Sequence, residues 1–212
     1  MLIEFIGPPG AGKSTIAAEL ADAASLLREN LDGNRRLGGG SLTSRQVARQ
    51  RLLAIATQPW LSIPLLAEIV QGQRGTSASW RINLLRRNRL MRQLRKTRRS
   101  AVIEEGVTHA CVLALSESKG SSDLRRWHRL LELPDLVVSV RVTPEVARDR
   151  VLSRAGVLSG WSVDAIEGLA TRYLDAARMI ESEFETPVIV IDSTWTSSTA
   201  LAETLLGEIA PG

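Results

Sequence analysis

The chain of 212 residues has a single cysteine, Cys111, so no disulfide can close within it. With only His109 and His128 beside that thiol, no zinc-ligand spacing can be assembled either. Cys111 lies in HACVLAL, where a small buried apolar side chain is expected rather than a nucleophile. No apolar run approaches the roughly 18 residues that a membrane span needs, and the N-terminus has no basic region followed by a hydrophobic stretch. A cytoplasmic protein without a membrane span is expected. Acid is missing locally: none occurs between Glu68 and Glu104, an interval that holds ten bases, Arg74, Arg81, Arg86, Arg87, Arg89, Arg92, Arg95, Lys96, Arg98 and Arg99. Two readings of that interval stay open. Ile82, Leu85, Met91 and Leu94 offer an apolar stripe at near-helical spacing, which makes the bases a solvated helix face; alternatively the bases form an electrostatic funnel for a polyanion such as a phosphorylated metabolite or nucleic acid.

At 44% hydrophobic residues the chain can bury a full core, and one domain spanning 1–212 is the simplest organisation. Leu2 to Ile6 is short and almost wholly apolar, which suits a strand buried on both faces of a parallel sheet. Further strand signals fall at 25–30 (SLLREN), 101–105 (AVIEE), 136–142 (LVVSVRV) and 187–193 (PVIVIDS). Helical patterns lie between them: 14–24, 44–58 behind a cap at Thr43 or Ser44, and a basic helix opened by Ser77 or Ser79. Others follow through Cys111, at 123–133, at 144–155 with Pro144 in the first turn, at 162–184 and at 199–209. Strands separated by helices predict an α/β fold of three layers with a parallel sheet of about five strands, a helical insertion over 30–100 between strands two and three, and a lid over 148–161.

Residues 7–15 read GPPGAGKST and contain three glycines and two prolines, too many for the interior of a helix or strand. Gly7, Gly12, Lys13 and Ser14 fit G-x-x-x-x-G-K-[ST] between a predicted strand and a predicted helix, the context that the phosphate-binding P-loop requires. In such a loop Gly7, Pro8, Pro9, Gly10, Ala11, Gly12, Lys13, Ser14 and Thr15 wrap backbone N–H groups around phosphate oxygens. Lys13 then reaches the outer phosphates, and the Ser14 hydroxyl coordinates Mg2+. A nucleoside triphosphate with magnesium is the implied ligand. A signalling GTPase is set aside because no Asn-Lys-x-Asp motif follows; the nearest stretch, SESKGSSD at 116–123, does not match.

Taken with PEVARDRVLSR at 144–154, TRYLDAA at 171–177 and VIVIDST at 188–194, the loop resembles the small P-loop nucleoside and nucleotide kinases, especially the thymidylate kinase and deoxynucleoside kinase branch. SLLREN is similar to their second strand, with Asn30 where thymidylate kinases carry proline, and AVIEEG stands where an acid-plus-arginine pair usually follows the third strand. The resemblance implies ATP- and Mg2+-dependent phosphoryl transfer to a small acceptor: a nucleoside, a nucleoside monophosphate or another hydroxylated metabolite. It implies Glu104 as the acid for the magnesium or acceptor, with Glu29 as the alternative base, Arg150 and Arg154 as a phosphate clamp on the lid, and Trp195 against adenine. A homodimer is compatible with it. The competing reading is a P-loop ATP-binding regulatory or nucleic-acid-associated protein that grips phosphodiester backbone with residues 74–99.

Overall fold

The structure, a computed structural model, describes residues 1–30, 44–62, 78–117, 130–153, 162–184 and 186–209. Five parallel strands, β1 (Leu2–Ile6), β2 (Leu27–Asn30), β3 (Ala101–Glu104), β4 (Leu136–Arg141) and β5 (Val188–Asp192), form one sheet in the order β2-β3-β1-β4-β5. Every strand expected from the sequence is present, with ends shifted by no more than two residues. The described helices are α1 (Lys13–Ala23), α2 (Ser44–Ala56), α3 (Ala78–Lys96), α4 (Val107–Glu117), α5 (Pro144–Ser153), α6 (Val163–Phe184) and α7 (Ser198–Ile209). Two of them, α2 and α3, lie between β2 and β3, where the helical insertion was expected. The helix expected at 123–133 falls mostly outside the described residues, as do Thr43 and Ser77.

The all-apolar reading of β1 has a physical basis in the layers. Ile3 and Phe5 face one side of the sheet, where they pack with Ile16, Leu20, Leu201 and Leu205 of α1 and α7. Leu2 faces the other side among Leu84, Leu85, Met91 and Ile103, and Ile6 joins Val112, Val137 and Tyr173 there. Both faces are covered, so the strand cannot alternate with polar residues as a half-exposed strand would. Each fully buried Ile or Phe contributes about 1.5–3 kcal/mol relative to exposure. Helix starts follow local chemistry: Ser162 Oγ accepts from the Ala165 amide and Ser197 Oγ from the Ala200 amide, both at 3.2 Å, while Pro144 opens α5.

The basic helix α3 packs on α2 and α4 and runs against the strand direction. Arg87, in its middle, lies beside Glu105 and Gly106 just past the carboxyl end of β3, and Arg95, two turns on, reaches Asp135 before the start of β4. A buried amide network fixes its position: Gln58 donates to the Ala54 and Leu85 carbonyls and accepts from Asn88 at 2.6 Å, and Asn88 accepts from the Glu132 amide. The helix leaving β1 (α1) and the helix leaving β3 (α4) pack on opposite faces of the sheet. Their separation opens a crevice at the carboxyl ends of these adjacent strands, the place where ligands of open α/β sheets bind.

Candidate active site

The glycine-rich loop leaves β1 and enters α1 in a conformation that its residues dictate. Gly7 and Gly10 have φ of +151° and +81°; a Cβ on Gly7 would stand 2.5 Å from the Val140 carbonyl oxygen, and one on Gly10 would overlap the Ala147 carbonyl. Neither position accepts a side chain, so the loop lies flush on β4 and α5. Gly12 caps α1, the Thr15 and Ile16 amides donate to its carbonyl, and Lys13 Nζ donates to the carbonyls of Gly7 and Pro8 at 2.7 and 2.9 Å. The lysine thus arches over the loop that it would share with a phosphate.

Ser193, just past β5, supports the loop from outside: its hydroxyl is within hydrogen-bond reach of the Ala11 and Arg141 carbonyls at 2.8 and 3.1 Å. Arg150 of α5 completes this contact, donating to the Ser193 carbonyl at 2.7 Å, to Ser193 Oγ at 3.2 Å and to the Gly10 carbonyl at 3.4 Å. Here Arg150 braces the loop. Trp195 follows and is 88% exposed. Arg154 and the rest of the expected lid, 154–161, lie outside the described residues.

On the other side of the crevice stands Glu104, the last residue of β3, in register with Phe5 of β1 and Asn30 of β2. It is buried and takes a 2.7 Å hydrogen bond from Arg28 Nε of β2, while Arg28 Nη2 donates to the Ser14 carbonyl at 3.0 Å. One guanidinium therefore joins the first turn of α1 to the acid at the end of β3. The sequence reading singled out Ser14 and Glu104 and missed the arginine between them. Glu29 is placed only by its backbone, opposite Ile103.

Glu105, the next residue, has left the strand with φ of +56°, and its carboxylate meets Arg87 Nη2 at 3.3 Å. Beneath this pair lies a buried cluster that the sequence reading also missed. Glu4, at the centre of β1, accepts from the amides of Thr108 and His109 at 3.1 and 2.8 Å, capping α4. Gly106 is needed for this contact, since a Cβ there would come within 2.6 Å of the Glu4 carboxylate. Burial pushes the Glu4 carboxyl above its ordinary range, although both amides favour the anion. Burial, then the charges of Arg87 and Lys13, hold His109 well below its usual value, and the neutral imidazole sits 3.1 Å from the Tyr173 hydroxyl. The one signal for this cluster was a lone acid in an otherwise apolar strand, LIEFI; a buried polar residue carries more information than the apolar residues around it. Cys111 is buried, as expected, and its thiol is pushed up by desolvation, which keeps it unreactive.

The basic segment is largely tied down. Arg86 is buried, Arg87 pairs with Glu105, Arg92 lies 5.0 Å over the Trp60 ring and 3.9 Å from Glu132, and Arg95 bridges Glu132 and Asp135 at 2.6 and 2.8 Å. Much of what reads as a polycation is the buried, paired side of a packed helix.

No protein-family model and no curated protein matches this sequence. Among solved structures the chain is similar to deoxyadenosine kinase from M. mycoides in three states. With bound dATP the TM-score is 0.59 at 16% identity, over 99% of each chain. With the products dCMP and a flexible dCDP it is 0.59 at 14% identity, over 99% of this chain and 98% of that one. With bound dCTP it is 0.54 at 16% identity, over 99% and 100%. The fold defined by this sheet order and glycine loop is thus the α/β fold of a P-loop deoxynucleoside kinase.

Proposed function

We propose that this protein is an ATP- and Mg2+-dependent kinase that transfers the γ-phosphoryl group to the hydroxyl of a small, nucleoside-like acceptor. The observation that carries this reading is the Arg28 bridge, which sets a hydroxyl-bearing turn and a buried carboxylate side by side at the mouth of a loop whose glycines admit no side chain. Ser14 and Glu104 offer hard oxygen donors of the kind Mg2+ takes, and the loop amides and Lys13 suit the phosphates. When bound, magnesium would neutralise charge on the transferring phosphoryl group. Glu104, or Glu29 as the alternative, would orient the acceptor hydroxyl and take its proton. Arg150, braced on Ser193, and Arg154 would supply positive charge from the lid side, with Trp195 beside the adenine. The kinase character of the structural neighbours supports the same assignment, and 1–212 would act as one domain.

Lys13→Ala tests it. With ATP, Mg2+ and deoxyadenosine or deoxycytidine as acceptor, ADP release should fall by at least about a hundredfold, the size of effect expected for one preorganised charge at the reacting centre. The far-ultraviolet spectrum and urea midpoint should stay near wild type. Undiminished turnover in this variant at saturating substrate would overturn the reading.

A further inference from the structure

The polar atoms of α3 that face the crevice are incompletely used. Arg87 is 5% exposed, and its guanidinium makes two long contacts, to Glu105 and to the Gly106 carbonyl, both at 3.3 Å; its Nε is buried without a partner. Asn83 lies one turn earlier on the same helix, at i−4, and its Oδ1 is likewise buried without a partner. A buried donor or acceptor left unpaired costs about 1–3 kcal/mol, so two such atoms on one face of one helix call for a reason.

Direction supplies it. Since α3 runs against the strands, Arg87 is level with the carboxyl end of β3 and Asn83 stands one helical turn, about 5.4 Å, beyond the sheet edge, on the acceptor side of Glu104. We infer that Asn83 and Arg87 recognise the phosphate acceptor, Asn83 Oδ1 accepting from it and Arg87 Nε donating to it. This inference rests on the phosphotransferase reading above. Glu105 already balances the arginine's charge, so the pair fits an uncharged group that presents a donor beside an acceptor; a second phosphate would have to displace that carboxylate. Arg87 stands where an arginine on the strand end would otherwise act: the acid at position 105 draws it in from the helix.

The test measures KM for acceptor and for ATP separately in wild type, Asn83→Leu and Arg87→Lys, using deoxyadenosine, deoxycytidine and their monophosphates with ATP and Mg2+. Asn83→Leu removes an atom with no partner, so its thermal midpoint should equal or exceed that of wild type. Its KM for the nucleoside should nevertheless rise about ten- to hundredfold with KM for ATP within about twofold, as expected when a site loses a hydrogen bond to its substrate. Arg87→Lys, which keeps the charge without the guanidinium fork, should shift the nucleoside KM in the same direction. Monophosphates should be poorer acceptors than nucleosides in wild type. Unchanged nucleoside KM in both variants, or preference for monophosphates, overturns the inference alone. Wild-type protein that transfers no phosphoryl group to any of the four compounds overturns the phosphotransferase reading, and this pair with it.

Discussion

Arg28→Ala separates the bridge from the rest of the site. The side chain is 44% exposed, whereas its partner Glu104 is 3% exposed, and the two meet at 2.7 Å. Removing one member of a fully buried pair costs about 3–5 kcal/mol, and exposed pairs contribute about 0–1 kcal/mol. A half-exposed arginine against a buried carboxylate falls between these limits, so urea unfolding should show a loss of about 1–2 kcal/mol with an unchanged m-value. The catalytic effect should be larger than this stability loss suggests. The arginine also holds the Ser14 carbonyl at 3.0 Å, and without it both groups proposed for magnesium lose their common support. A ten- to hundredfold fall in turnover, about 1.4–2.7 kcal/mol in the barrier, is expected with ATP affinity changed only a few-fold. Arg28→Lys keeps the charge but cannot reach two acceptors in fixed geometry, so it should recover most of the stability and little of the turnover. Wild-type urea midpoint and wild-type turnover in Arg28→Ala would refute the bridge as a working part of the site.

Gly106→Ala places a methyl group on the Glu4 carboxylate, which two amides hold in place; urea unfolding should show a loss of about 1–3 kcal/mol, and an unchanged midpoint would contradict the packing described. For His109 the sign follows from its lowered pKa: the unfolded chain takes the proton first, so the stability of the neutral imidazole is fully present above about pH 6.5 and is lost as pH falls toward the folded value. Glu4 acts oppositely, its contribution being present below its unfolded value and lost as pH rises through the raised one, so the comparison must be with His109→Gln. Between pH 6.5 and 5 wild type should lose up to about 1.4 kcal/mol per pH unit more than this variant, and parallel profiles would refute the assignment. Binding of a single-stranded oligonucleotide tests the basic segment. Ten free bases would give a log–log salt slope of about 7; with Arg86, Arg87, Arg92 and Arg95 engaged within the fold, it should not exceed about 4. A slope near 7 would restore the polyanion reading.

The sheet and the glycine loop were legible because their signals are local. A strand covered on both faces must be apolar along its length, and LIEFI, AVIE and LVVSV are so, apart from Glu4, the terminal Glu104 and Ser139. A loop that lies flush on two other elements must be glycine at the contact points, and GPPGAG shows them. Strand order was not legible, since nothing local says that β3 inserts between β2 and β1. Glu104 was found through its position at a strand end, and its preference over Glu105 agrees with the geometry: 104 completes the strand, while 105 turns away to meet α3.

Charge was the harder text to read, because a helix in a basic run looks the same in sequence whether its bases face water or acids. The acids that engage α3 lie beyond the acid-free interval, at positions 105, 132 and 135, and Arg28 finds its carboxylate 76 residues away. Periodicity selects the face of α3 that carries Leu84, Leu85 and Met91, but Arg86 and Arg87 are buried as well, which an amphipathic reading assigns to solvent. They can be buried because the helix passes the carboxyl end of β3, where the chain turns outward and supplies Glu105 and the Gly106 carbonyl. The same geometry brings α3 level with the phosphate loop across the crevice. A helix needed only for packing would have met that edge with leucine; arginine and asparagine there, each with a buried polar atom unpaired, place recognition of a substrate among the constraints on its sequence.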